Sequence, residues 1–177
     1  MLRRKKSMAD LNRLSPAEYT DAPKIPVSLL LDDIRSANNV GSLFRTADCF
    51  ALRHVYLCGI TATPPHRDIL KTALGATETV EWSHHEDAIA LVKDLKGDGA
   101  QVQCLEQTEH SVFLRDFIIP EQALVLVVGN EVKGVSQAVI DAAHGTIEIE
   151  QFGTKHSLNV AVAAGMMVYR IVSSLRP

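Results

Sequence analysis

The sequence predicts an α/β fold: a parallel sheet flanked by helices on both faces. Three observations predict it. Short apolar runs of strand length alternate with segments whose apolar residues recur at helical spacing. The runs at Val27–Leu31 and Ala123–Val128 are apolar almost throughout, as strands covered on both faces are. Glycines stand at several of the junctions.

Residues 1–26 read as an N-terminal basic, helical arm, and residues 27–177 as the main domain. In the arm, Arg3, Arg4, Lys5 and Lys6 form a basic cluster. Met8 to Leu14 carries a short helical pattern, and Ser15-Pro16-Ala17-Glu18 has the order of a capped helix start. Pro23 and Pro26 break that pattern. Strands are then expected at 27–31, 54–58, 78–82, 101–105, 123–128 and 146–150. Helices are expected at 39–50, from Pro64-Pro65 to about Leu74, and at 86–96, 136–143 and 158–175. The 86–96 segment is amphipathic, with Ala88, Ile89, Leu91, Val92 and Leu95 at helical spacing. Gly59, Gly75 and Gly97-Asp98-Gly99 close elements.

Composition narrows the function classes. Apolar residues make up 46% and charged residues 22% of the 177 residues, a balance that suits one globular domain and excludes a disordered chain. The net charge of −3 and pI near 6.1 exclude a uniformly cationic surface but not a local basic patch. Aromatics are 5%, too few for extensive base stacking. Cys49, Cys58 and Cys104 are scattered without a C-x-x-C, as reduced thiols of a cytoplasmic protein are. No apolar run reaches the ~18 residues of a membrane span. The basic start, Met1 to Lys6, lacks the apolar stretch of a secretory signal. A cytoplasmic location without membrane contact is expected.

Ligands of open parallel sheets bind beyond the carboxyl ends of the strands. The polar residues after Leu31, Leu105, Val128 and Glu150 are therefore expected to converge. The first such segment runs from Asp32 to Arg45. Asn39 reads as a helix N-cap, Gly41 leaves room for close approach, and Arg45 lies within about a third of a turn of the Asn39 face. A plain cap and a surface arginine fit the same residues. The second segment, Val127 to Val135, runs from a buried strand into Gly129-Asn130-Glu131, with Gly134 beyond. It is either a ligand loop carrying a carboxylate or a tight turn with an exposed acid. It lacks the Gly-Lys-Ser/Thr of a Walker loop. The third, Gln151 to Val160, is a polar loop with Ser157 near the start of the last helix and Asn159 in its first turn. A capped core helix reads equally well. Ala161, Ala163, Ala164 and Gly165 allow another backbone to pack closely. The seven histidines fall in no zinc-like arrangement, so no metal is expected. There is no G-x-S-x-G elbow and no G-x-G-x-x-G turn after a strand.

Taken in order, N-x-G-x-x-x-R at 39–45, V-V-G-N-E-x-x-G at 127–134 and S-L-N-V at 157–160 resemble the SpoU, or TrmH-like, branch of the SPOUT RNA methyltransferases. The resemblance covers about residues 27–175. It implies an α/β knot, in which the C-terminal segment threads a loop as a deep trefoil knot, a rare topology. It implies S-adenosyl-L-methionine as cofactor, held bent in the knot by backbone groups. It further implies a homodimer that methylates a ribose 2′-hydroxyl in structured RNA.

By the same resemblance, Asn39, Arg45, Glu131, Ser157 and Asn159 are the functional positions. Leu105, Gln107, Thr108, Gly129, Asn130, Gly134, Ile149 and Leu158 fall on the cofactor loops. Arg45 would stabilise the developing alkoxide and the neighbouring phosphate, since a guanidinium does not give up its proton at ordinary pH. Asn39 would hold Arg45. Glu131 would fix loop geometry or the partner subunit, and Ser157 and Asn159 would orient the substrate or the loop. Arg4, Lys5, Arg35 and Arg45 are candidate RNA contacts. A chain of this size leaves no room for a large appended RNA-binding domain, which favours tRNA slightly over rRNA. A catalytically silent RNA-binding protein of the same fold is the alternative; the intact Asn39, Arg45, Glu131 and Asn159 set argues against it. A phosphotransfer protein would need the phosphate loop that is missing.

Overall fold

The computed structural model describes residues 3–7 and 9–175. Its central strand, β1 (Ile25–Asp32), sets the pattern of the sheet. Val27, Leu29 and Leu31 enter one core layer and Leu30 the other, the period-2 alternation of a strand covered on both faces. Ahead of it lies α1 (Pro16–Asp21). After it come α2 (Ala37–Cys49), β2 (Leu52–Cys58), α3 (Arg67–Ala73), β3 (Trp82–His85), α4 (Ala88–Gly97) and β4 (Gln101–Leu105). The chain ends with β5 (Val112–Phe113), β6 (Leu124–Gly129), α5 (Gln137–Ala142), β7 (Gly145–Glu148) and α6 (Val160–Leu175). The sheet order is β3-β2-β1-β6-β4-β7-β5, and every neighbouring pair is parallel.

Residues of α2, α3 and α6 fill one layer, with Phe44, Ile69, Met167 and Ile171 against Leu126 and Val128. Residues of α4 and α5 fill the other, with Val92 and Val139 against Val125, Val127 and Cys104. Burial, then nearby carboxylates led by Asp32, pushes the Cys58 and Cys104 thiols up to about 12. Neither is a nucleophile at neutral pH. No helix among the described residues is long and apolar enough to cross a membrane.

Several expectations change at their edges. β1 opens at Ile25, so Pro26 lies inside it rather than before it. The register to β2 shifts between Ile25 and Ser28, an irregularity that accommodates a residue without an N–H. In the arm, Ser15 and Glu18 form the expected capping box. The pattern from Met8 to Leu14 yields only a 3-10 turn at Ala9–Leu11; Met8 lies outside the described residues, as do Met1, Leu2, Arg176 and Pro177. The strand expected at 78–82 is instead β3, at 82–85, because Ala76 and Val80 are buried from a turn rather than from the sheet. The helix expected from Pro64-Pro65 starts at Arg67, capped by His66, and closes on Leu74 in the left-handed region. The short edge strand β5 has no counterpart among the expected elements. α6 starts at Val160, after Ser157 and Asn159 rather than around them.

Candidate active site

The carboxyl ends of β1, β6, β4 and β7 lie side by side, with Asp32 paired to Gly129, Cys104 to Val127 and Leu105 to Ile147. The chain crosses from β3 to β4, and β6 later fills the gap between β1 and β4. Such a switch in strand order leaves a crevice beyond the strand ends. A cavity of about 590 Å³ occupies this place, within the ~300–1,000 Å³ of small-molecule sites.

Of the cofactor positions expected from the sequence, Leu105, Gln107, Gly129, Asn130, Gly134, Ile149 and Leu158 line it. Thr108 does not. Its hydroxyl lies 2.6 Å from Thr146 Oγ1, which ties it to β7 instead. Gln107 reaches across the cavity loops and donates to His156 O at 3.1 Å.

The loop after β6 folds tightly on itself. Asn130 Nδ2 donates to Asp33 O at 2.8 Å, and Asn130 Oδ1 accepts from the N–H groups of Val132 and Lys133 at 3.0 and 3.1 Å. A Cβ on Gly129 would stand 2.1 Å from Val135 N, so only glycine allows this return. Buried Asp32 accepts from Ser136 N at 2.9 Å and fixes the loop's far end.

Glu131 joins this loop to the start of α2. Its carboxylate accepts from Arg35 N at 2.9 Å, Ser36 N at 3.0 Å and Asn39 Nδ2 at 2.9 Å. Burial opposes ionisation here, but these donors outweigh it and hold the carboxyl below the ordinary glutamate value. The positive end of α2 favours the same charge. Asn39 Oδ1 in turn accepts from Asn159 Nδ2 at 3.2 Å, and Asn159 Oδ1 accepts from Ala161 N and Val162 N at 3.0 and 3.3 Å. One polar chain, Glu131–Asn39–Asn159, thus connects all three motif segments.

Two expectations about these residues fail. Asn39 is not the cap of α2: Ser36 is, its Oγ accepting from Asn39 N at 3.3 Å. That frees the Asn39 amide for Glu131 and Asn159, and leaves it no bond to Arg45. Arg45 is exposed and lines a separate cavity of about 400 Å³ with Ser42, Thr46, Cys49, Phe50 and Thr72. Ser157 lines the main cavity and makes no side-chain hydrogen bond among the described residues. Arg35 is exposed at the mouth of α2. Arg4 pairs with Asp10 at 3.4 Å inside the arm, and neither it nor Lys5 lines either cavity. The cofactor loops expected at 105–108, 129–134 and 149–158 include Glu106, Lys133 and His156 without singling them out, and stop short of Glu148; all four line the main cavity. Glu106 carried the signal used for Glu131, an acid at the carboxyl end of a strand.

The fold and site define a class of α/β protein whose ligand crevice is closed by backbone-rich loops rather than by a glycine-rich dinucleotide turn. Residues 26–169 match the model of the SpoU rRNA Methylase family, and the chain belongs to that family. Among its relatives is a Staphylococcus aureus protein with the provisional name of a TrmH family tRNA/rRNA methyltransferase. It is 26% identical over 168 residues, which cover 89% of this chain and 67% of the relative. The rRNA methyltransferase from Sinorhizobium meliloti superposes with a TM-score of 0.79 at 25% identity, covering 90% of this chain and 61% of that one. Its AdoMet-bound form superposes with a TM-score of 0.77 at 24% identity, covering 93% and 62%. A structure described for the 2-OH methylation of C/U34 on tRNA shares the fold, with a TM-score of 0.75 at 23% identity, covering 85% of this chain and 98% of that one. The chain thus spans less than two thirds of the Sinorhizobium protein.

Proposed function

We propose that this protein is an S-adenosyl-L-methionine-dependent RNA methyltransferase acting on a ribose 2′-hydroxyl, with a knotted C-terminal segment and a homodimer as its working unit. The observation that carries this reading is the Glu131–Asn39–Asn159 chain beside the main cavity. It joins the three motifs on which the resemblance rests. The cavity suits a nucleoside cofactor. Gly129 and Gly134 bare the backbone in one wall, and Leu105, Ile149 and Leu158 offer apolar surface for a purine ring. Bound there, the cofactor supplies an electrophilic methyl group.

The chain's own residues supply position and charge. Glu131, held ionised, fixes the entry of α2 against the loop after β6. Asn159 carries that order to α6, and Ser157 offers a hydroxyl at the mouth. Arg45 lies outside the cavity of its own chain, so its role requires a second copy to bring an arginine there. An apolar stripe of α6 suits such a contact: Val162, Met166 and Tyr169 are 54%, 46% and 64% exposed. The Tyr169 ring meets Phe50, which lines the Arg45 cavity, at 6.3 Å. In the assembled site Arg45 stabilises the developing alkoxide and the adjacent phosphate, while the hydroxyl proton leaves through phosphate or water. Arg35, with Arg4 and Lys5 of the arm, contacts RNA phosphates. Transfer RNA is the favoured substrate. The structural neighbour covered over 98% of its own length, described for methylation of C/U34 on tRNA, supports that preference.

Label transfer from S-adenosyl-L-methionine to purified tRNA and rRNA, followed by mass-spectrometric mapping, tests the reading. A 2′-O-methyl nucleoside is the expected product. Arg45→Ala should lower turnover by roughly 100-fold or more while leaving cofactor affinity unchanged. Labelled base instead of ribose, or full turnover in Arg45→Ala, would overturn it. No transfer to any RNA, with RNA binding intact, would favour the catalytically silent alternative.

A further inference from the structure

We propose that Glu106 is a positioning residue of the cofactor cavity, a clamp that fixes the loop after β4 against the loop after β6. The assignment rests on the cofactor reading above and adds a residue to it. Glu106 follows β4 directly, and its N–H donates to Ile147 O at 3.0 Å, so its backbone is already anchored to β7. Its carboxylate then accepts two backbone N–H groups from different walls. Gln107 N donates to Oε1 and Val135 N to Oε2, both at 2.9 Å. Among the described residues, the Val135 bond is the one side-chain hydrogen bond that joins segment 105–108 to segment 129–136.

The opposing wall is shaped to receive this carboxylate. Gly134 has a φ of +71°, and a Cβ there would stand 2.2 Å from Glu106 Oε2. The glycine therefore leaves the space that the carboxylate fills. An ionised carboxylate only accepts hydrogen bonds, which is what two converging N–H groups require. A glutamine at this position would present one acceptor and one donor. Whichever way it turned, an N–H would face an N–H.

Glu106 is half-buried and lines the cavity. Gln107 lines the cavity and Val135 is buried beside it, so in free Glu106→Ala, water entering the space left by the carboxylate can satisfy the released donors. A bound cofactor displaces that water and leaves the donor unpaired. The loss is therefore expressed in binding more than in folding.

Titration calorimetry with S-adenosyl-L-methionine on the full-length wild type, Glu106→Gln and Glu106→Ala reads this difference. Both variants should show a roughly tenfold rise in Kd, the size expected from one unpaired buried donor. The KM for cofactor should rise in parallel, with kcat at saturation within about twofold. The melting point of Glu106→Ala without cofactor should stay near the wild type, whereas Glu106→Gln, with its facing N–H groups, should melt lower. A Kd within about twofold of wild type in both variants overturns the assignment, as does a fall in kcat at constant KM. Unfolding of both, read by circular dichroism, overturns the separation of binding from folding on which it depends. Absence of wild-type binding removes the cofactor reading, and the Glu106 assignment with it. Normal wild-type binding with unaffected variants removes Glu106 alone.

Discussion

Replacing Asn39 by aspartate changes little but an amide for a carboxylate and probes the whole polar chain. Asn39 Nδ2 donates to Glu131 Oε1 at 2.9 Å, and Oδ1 accepts from Asn159 at 3.2 Å. The aspartate keeps an acceptor for Asn159 and turns the donor into a second anion facing Glu131. The lost bond to an ionised acceptor is worth about 1.5–3 kcal/mol. Two unit charges about 4 Å apart repel by ~1 kcal/mol in bulk water and by ~4 kcal/mol near a protein surface. Glu131 is exposed and Asn39 half-exposed, so both effects fall toward their lower ends. Together they should cost about 2–4 kcal/mol above neutral pH, a fall in Tm of roughly 4–16 °C for a chain of this size.

The pH dependence separates the two effects. In the wild type the Glu131 carboxyl titrates below its ordinary value of 4.5. Its stabilisation is complete above that value and is lost as pH falls through the lower folded value. In Asn39→Asp the paired carboxyls repel, and one of them titrates above its unfolded value. The deficit against wild type should then be widest near about pH 8 and narrow toward about pH 5. Asn39→Ala removes the bond without adding charge, so its deficit should stay flat. Urea unfolding of the three proteins across this range measures both. An aspartate deficit no larger than the alanine deficit at about pH 8, or one that does not narrow, would refute the geometry.

Two further outcomes follow from packing and protonation. Gly41→Ala gains about 1 kcal/mol of helix propensity, yet it should lose about 1–3 kcal/mol overall. A Cβ there would stand 2.1 Å from Thr72 Oγ1 and 2.3 Å from Ile69 O, and the α3 backbone cannot yield; a melting point at or above wild type would contradict this. Burial, aided by His85 and opposed by Glu81, holds the His54 imidazole below its ordinary value of 6.5. It bonds to Ser83 Oγ at 2.9 Å. The stability tied to its neutral form is present above 6.5 and lost as pH falls through the folded value. The melting point should drop across that window and drop less in His54→Gln; equal slopes would show that His54 does not contribute.

Much of this architecture was legible from local signals. The β4 expectation at 101–105 matches the structure because the five residues there lie cleanly between turns. The Ser15–Glu18 cap followed from side chains that satisfy their own helix end. Edge strands were harder. β3 carries Ser83, His84 and His85, polar residues suited to a half-exposed strand, while the apolar signal just before it came from turn residues packed into the core. β5 is two exposed residues long and too short for a periodic signature. At the start of α2 the sequence reading chose Asn39 as the cap, but Ser36 takes that place, because local chemistry alone does not decide between neighbouring polar residues. The choice is made by Glu131, 92 residues away. Arg45 shows the same limit: helical spacing places it near Asn39 in projection, but it opens onto a different cavity.

The contacts that unite the site span 92 and 120 positions of chain, and the strand that completes the middle of the sheet is the sixth of seven to be made. During synthesis, the nascent polypeptide therefore cannot acquire partial competence as it leaves the ribosome. Ordering of the site must wait until the start of α6 has emerged, the regime in which non-local closure makes folding slow. A message truncated shortly before α6 would yield a protein without function rather than a weakened one.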